Sequence, residues 1–441
     1  MPNHRKRPSR AKKQKQPSRK KSGGAFEVTL TDMNERGMAL GQYKRRQVAI
    51  PYTIPGETLT ARIAKRSSDK NQPDIATGVA LIEASADRVY PQCPHFAPGQ
   101  CRNCQWQHIE YAAQLLIKQD VLAETLSQQG QFSDETLEAA MQPFIPSAQQ
   151  WEYLYQVWLY RRGDNFFGYF NDDGTSVFRP DDCPVMHPDL FALYESLDLE
   201  FDEVKRLQLL LDSDGETMIL LDMKSEDAPQ LEANFPTSVN LILTDNTPMN
   251  LVGNTMLHYT LHNRRFRVTA GAFFRPNIAQ IENLITALLT LLDLQGTEKV
   301  LDLYAGVGIF TAFIAPHADL VTMVESYPPA ATDAETNLND AENVDIIEGS
   351  AEDVLQSLLE SEEHYDAVIV NPPSSGLSKA ALTALIDLAP PALLYISSDP
   401  GSLGRNGKTL IEGGYTLNRV QPIDFAPHTY YIECLALFTR T

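Results

Sequence analysis

The chain has 441 residues and a hydrophobic share of 43%, long enough for two or three domains and ordinary for globular protein. No run approaches the ~20 apolar residues that cross a bilayer, and the N-terminus lacks the apolar core of a secretory signal, so a soluble, cytoplasmic protein is expected. The net charge of −20 hides a division: residues 1–22 carry ten Lys/Arg and no acid, leaving 27 basic against 57 acidic residues in a body at −30. A body so acidic repels a phosphate backbone, so a nucleic-acid partner would need cationic segments to release counterions. The basic tail, 1–24, reads as an RNA-docking arm or as a solubilising extension.

Residues 25–89 alternate short apolar runs (FEVTL, MALGQY, QVAIPY, LTARIA, TGVALIE) with Gly-, Pro- and Asn-rich turns, the pattern of a small β-barrel. Lys44, Arg45, Arg46, Lys65, Arg66 and Lys70 recur there, a weak signal for nucleic acid because loop charges are common. Residues 90–264 are mixed, with one clear helix near 111–128. From 265 to 441, apolar strands at 300, 320, 344, 366 and 393 alternate with amphipathic helices, and runs at 416–423 and 431–439 suggest a closing antiparallel hairpin. Such alternation predicts a parallel sheet with helices on both faces.

The run VLDLYAGVGIFT at 300–311 is a strand entering a Gly-rich turn and then a helix. Gly306 and Gly308 would let backbone approach a ligand. Glu325 ends the next strand, where a carboxylate can accept from both ribose hydroxyls. Thr311 stands where a dinucleotide fingerprint needs its third glycine, so the arrangement favours S-adenosylmethionine over NAD. Asn371-Pro372-Pro373 closes the fourth strand of the series, on the same ligand-bearing edge. It also fits enzymes that methylate amino groups, although those place an aromatic where Ser374 stands.

Cys93, Cys101, Cys104 and Cys183 read as a metal site, because C-x-x-C with further thiols in a cytoplasmic protein seldom means disulfides. Zn²⁺ and an iron-sulfur cluster both accept four thiolates, and spacing does not separate them.

These pieces occur in a recognisable order: PGE at 55–57, SADRVYPQCPHF, the CxxCQ-Q-H element at 101–108, YRRG…DDCP, AGAFFRPN, LDLYAGVG, NPP, SSDP and PHTYYIE. In that order they resemble the RNA uracil-5-methyltransferases over nearly everything after the tail. The resemblance implies an α/β architecture: a TRAM-type (OB-like) RNA-binding barrel, a central α+β cysteine-bearing domain and a C-terminal Rossmann-like methyltransferase domain. It implies S-adenosyl-L-methionine and a [4Fe-4S] cluster on the four cysteines as cofactors. The partner would be rRNA or tRNA, and a monomer is expected. It implies Arg275, Tyr304, Gly306, Gly308, Glu325 and Asn371 around the cofactor. In the family a cysteine adds to uracil C6 and a glutamate removes the C5 proton. Glu433 matches the glutamate, whereas the nucleophile position is Ser398. Further departures cluster with it: Asn371 and Ser374 in place of the ends of DPPR, Asp399 for asparagine, Arg275 for the glutamine of FFQ, and Ile309 where asparagine is common. Cys434 is no substitute, since it follows Glu433 in a predicted strand and faces the other way. The family enzyme with doubtful turnover, or a silent RNA-binding paralogue, are the two functions expected.

Overall fold

The computed structural model describes residues 24–161, 166–197, 203–226 and 236–440, so the basic tail lies outside the described residues except at Gly24. The chain divides into two compact units, one of Ala39–Ala84 with the segment up to Asp32, the other of Met33–Met38 with Ser85 onward.

In the first unit β1 (Phe26–Met33), β2 (Ala39–Tyr43), β3 (Arg46–Ile50), β4 (Thr58–Lys65) and β5 (Asp74–Glu83) close into a barrel in the order β1-β2-β3-β5-β4. The alternation in β1 explains the closure: Phe26, Val28 and Leu30 point inward while Glu27, Thr29 and Thr31 are exposed. Gly41 permits the strands to approach, since a Cβ there would sit 2.8 Å from Thr29 O. Two of the barrel cations turn out to be structural. Arg46 Nη2 lies 2.8 Å and Arg66 Nη1 3.7 Å from the buried carboxylate of Asp74.

The second unit begins with α1 (Tyr111–Gly130) and α2 (Asp134–Ala140). A five-stranded sheet follows, built from β6 (Gln156–Tyr160), β9 (Val204–Leu211), β10 (Thr217–Met223), β11 (Ser238–Ile242) and β12 (Pro248–Val252), in the order β12-β11-β10-β9-β6. The small hairpin β7 (Tyr169–Phe170) and β8 (Val177–Phe178) and the helix α3 (Pro188–Ser196) lie between β6 and β9 in the chain. Leu207, Leu209, Ile219 and Leu221 fill one face of this sheet. Leu210, Met218 and Leu220 on the other face join the larger core behind the next sheet. Burial on both faces is why Leu209–Leu211 of β9 and Met218–Leu221 of β10 are unbroken apolar runs.

The hairpin β13 (Met256–Leu261) and β14 (Arg264–Thr269) and the helix α4 (Ile278–Leu292) lead into the expected alternation. It comprises β15 (Lys299–Leu303), α5 (Ile309–Ile314), β16 (Leu320–Glu325), α6 (Pro328–Asn337), β17 (Val344–Glu348), α7 (Ala351–Glu360), β18 (Ala367–Val370), α8 (Lys379–Leu388), β19 (Ala392–Ser397), α9 (Pro400–Glu412), β20 (Thr416–Ile423) and β21 (Glu433–Thr439). The strands form one sheet, β17-β16-β15-β18-β19-β21-β20. All pairs from β17 to β19 are parallel, and β21 runs antiparallel to both β19 and β20. The Rossmann-like methyltransferase fold read from the sequence is therefore present, with the closing hairpin's second strand inserted into the sheet. Strand order reverses between β15 and β18, which puts a crevice for ligand at the carboxyl ends of these strands.

Candidate active site

The first wall of the crevice is the turn after β15. Tyr304, Gly306 and Gly308 all have positive φ, at 60°, 60° and 81°. For tyrosine that conformation is strained, and strain of this kind collects at functional sites. The two glycines serve different purposes. A Cβ on Gly306 would meet nothing within 4 Å, whereas one on Gly308 would sit 2.9 Å from Leu338 Cδ1. Gly306 leaves room for a ligand, and Gly308 lets α6 pack closely. Glu325 ends β16 beside this turn, and its carboxylate accepts from Gly306 N at 2.8 Å and from Tyr327 N at 2.7 Å. Asp302, unremarked in the sequence, is fully buried beneath them and accepts from Thr311 Oγ1 at 2.7 Å. Burial pushes its carboxyl up to about 7, against the Thr311 hydrogen bond and with help from the charge of Glu325.

The second wall carries the residues that depart from the family pattern. Ser398 is exposed immediately after β19, and Asp399 caps α9 by accepting from Ser402 N at 2.6 Å. Ser397 pairs with Cys434, so the register continued by one step sets Ser398 opposite Glu433. Cys434 is wholly buried in the sheet, and burial pushes its thiol far up. Glu433 is paired with Arg275, whose Nε and Nη2 lie 2.7 and 2.5 Å from Glu433 Oε1. Arg275 Nη2 also donates to Asn371 Oδ1 at 3.0 Å. The guanidinium lies 5.6 Å from the rings of Phe273 and Phe425 and 5.9 Å from Phe310. Thus Arg275, Asn371 and Glu433 are one cluster, and Ser374 and Ile309 are not bonded into it. Ser374 is exposed on its loop, while Ile309 packs against the core.

The segment that delivers Glu433 is fastened from behind by groups the sequence did not advertise. Lys118 on α1 and Asp424 after β20 form an ion pair of 2.7 Å with both side chains at 0% exposure. Tyr111 Oη donates to the other Asp424 oxygen at 2.9 Å, and Lys118 Nζ also donates to Ala426 O at 3.1 Å. Gln114 Oε1 accepts from His428 N at 2.8 Å, while Asn277 and Gln280 donate to Phe425 O and Asp424 O. His428 sits at φ 66° with its ring stacked 3.9 Å from Trp151.

The four spaced cysteines lie in the central part of the second unit, half-buried and free of disulfides. Burial pushes Cys101 up to about 12 and Cys183 up to about 11, and the nearby sulfurs add to the shift in each. Cys104 is raised well above the usual thiol range for the same reasons, with the other three cysteines all contributing. Gln107 Oε1 accepts from Cys93 N at 3.0 Å, and Tyr169 Oη lies 3.9 Å from Cys183 Sγ. The four thiols therefore lie near enough to raise one another's titration. Among the described residues, no three His, Cys, Asp or Glu side chains are gathered as a site for a metal ion. No described helix is long and apolar enough to cross a membrane.

Residues 250–441 match the family model described as tRNA (Uracil-5-)-methyltransferase. A relative from Halalkalibacterium halodurans, described as an uncharacterized RNA methyltransferase, is 29% identical over 93% of this chain and 96% of its own. One from Synechocystis sp. with the same description is 28% identical over 94% of this chain and 96% of its own. Among solved structures, the Pyrococcus abyssi tRNA (uracil-54, C5)-methyltransferase in complex with S-adenosyl-L-homocysteine shares the fold with a TM-score of 0.68 at 19% identity. That likeness covers 94% of this chain and 100% of the other. Motif order, sheet topology and these matches agree in likening the chain to the RNA uracil-5-methyltransferases, with the family model itself matched over residues 250–441.

Proposed function

We propose that the chain binds S-adenosylmethionine at the Gly306–Glu325 wall and a uridine of rRNA or tRNA at the Ser398–Glu433 wall, as an uracil-C5 methyltransferase with an altered reacting centre. The observation that carries this reading is the register of β19 and β21, which sets Ser398 opposite Glu433 at the carboxyl edge of the sheet. S-adenosylmethionine supplies the electrophilic methyl group. Glu325 would turn to the ribose hydroxyls, exchanging its two amide partners for them, and the open flank of Gly306 would admit the ligand. Tyr304 and Gly308 shape that turn. Arg275 and Asn371 are assigned to the nucleotide side, because Arg275 pairs with Glu433 and Asn371 accepts from Arg275. Asn371 Oδ1, the acceptor a substrate amino group would need, is engaged by Arg275, which argues against amino methylation.

A second reading, RNA binding without turnover, is favoured by the state of the two reacting groups. Ser398 has no hydrogen-bond partner among the described residues, so no base stands ready to take its proton. Glu433 meanwhile spends Oε1 on Arg275. Nucleoside mass spectrometry of RNA from cells with and without the gene separates the two. Loss of a 5-methyluridine with the gene supports the enzyme, and identical profiles with retained RNA binding support the silent protein.

The four cysteines are proposed to hold a [4Fe-4S] cluster, supported by an all-thiol donor set and mutual electrostatic proximity. Loading would need the buried thiols to release their protons to the solution. A brown protein that Cys104→Ala bleaches is expected, while a colourless protein with stoichiometric zinc would replace the cluster by Zn²⁺.

A further inference from the structure

The edge strand β6 buries Val157 and Leu159 and turns Gln156, Trp158 and Tyr160 to its other face. This second row starts at the pocket, because Gln156 Nε2 donates to Phe274 O, in the loop that presents Arg275. On β9, Arg206 stands in register with Tyr160, and its guanidinium lies 4.0 Å over the ring of Trp158. Asp222 Oδ2, 2.6 Å from Arg206 Nε, fixes the plane of that guanidinium. Tyr160 lies against Phe170 with centroids 4.6 Å apart, and exposed Arg102 stands 5.9 Å from the Phe170 ring. In the segment after β20, Tyr430 lies against Tyr431 with ring centroids 4.7 Å apart. Tyr431 is 54% exposed and stands two residues before Glu433. The row therefore leaves the pocket at Phe274, while the Tyr430–Tyr431 pair stands just before Glu433 in the chain.

Most of these rings are half-buried, with the remaining area turned to solvent. Aromatic faces interleaved with arginine planes suit unpaired bases, since every base has a π-face and guanidinium stacks on it. Stacking also answers the electrostatic problem of this chain. A body at −30 gains little from broad phosphate attraction, and stacking does not depend on it. We propose that the face carrying Trp158, Tyr160, Phe170 and Arg206, with Arg102 and Tyr431, is a stacking wall for unpaired nucleotides flanking the one held in the pocket. The inference rests on the proposed RNA substrate.

The test uses the full chain and a single-stranded oligouridine, read by tryptophan fluorescence. Trp106 is fully buried and Trp151 is stacked on His428, which leaves Trp158 to report. Oligouridine should quench the wild-type emission, and Trp158→Phe should abolish the quench while keeping affinity. Trp158→Ala should weaken oligouridine binding by about tenfold to a hundredfold, with the salt slope unchanged. Arg102→Ala, at an exposed position, should lower that slope by about one. Unchanged S-adenosylmethionine binding in each variant checks the fold, and Trp158→Phe with Arg102→Ala carries the test if Trp158→Ala unfolds. A quench that survives in Trp158→Phe, or Trp158→Ala and Arg102→Ala that bind as the wild type does, would overturn the wall and leave the RNA reading standing. A wild type that binds no RNA at low salt would overturn both.

Discussion

A serine hydroxyl in place of a thiol changes one atom and removes most of the nucleophilicity that uracil C6 addition needs. If the second wall still holds uridine, Ser398→Cys should form a denaturation-stable adduct with RNA containing 5-fluorouridine, whose C5 fluorine cannot leave as a proton does. With ordinary uridine the same variant should stall after methyl transfer, because a proton taken by Glu433 would leave the Arg275 guanidinium without its counter-charge. Breaking such a pair costs about 3–5 kcal/mol when buried. Arg275→Gln in that background should therefore speed release of 5-methyluridine. Equal release rates with and without Arg275, measured by quenched turnover, would show that the pair does not restrain the base. Asp302 offers a pH signature. Its folded carboxyl is raised to about 7 from an unfolded value of about 4, so its contribution is fully present below about pH 4 and lost as pH rises to about 7. Asp302→Asn should flatten that part of the stability profile in urea melts, and an unchanged slope would place the titration elsewhere.

At the scale of elements, the segment between β20 and β21 behaves as a strap pinned by Lys118 and Asp424. Lys118→Met leaves a buried carboxylate unpaired and should cost about 3–5 kcal/mol in denaturant melts. The loss should shrink when Asp424→Asn is added, whereas additive losses would mean the pair is not coupled. None of this was legible in the sequence, because Lys118 and Asp424 are 306 residues apart and each alone looks like a surface charge. The strands at 300, 320, 344, 366 and 393 were legible because short, mostly apolar runs between Gly-rich and polar turns have few other fates. The candidate site was legible by halves. Gly306, Glu325, Ser398 and Glu433 could be placed by motif, but Arg275 and Asn371 read as separate departures until their side chains were seen to share one hydrogen bond. Gly308 looked equivalent to Gly306, and only packing against Leu338 distinguishes them.

For the molecule as a whole, charge would decide how the proposed RNA substrate is met. Removing residues 1–22 takes ten cations from a chain whose remainder is at −30. RNA affinity should fall, and the slope of log affinity against log salt should flatten. An unchanged slope would make the tail a solubilising extension and leave recognition to the folded units.

The position of β21 has a further consequence, for the order in which the protein becomes functional. It is made after the other six strands of its sheet, yet it lies inside, between β19 and β20. Until it arrives, the nascent sheet holds an open slot with unpaired strand edges on either side, a template for pairing with the wrong chain. Glu433 is the first residue of that strand, so the pocket is assembled in the same step that closes the slot. A chain still on the ribosome can hold the Gly306 turn and the Ser398 edge, but it acquires the carboxylate on the strand beside Ser398 only when synthesis has passed β21.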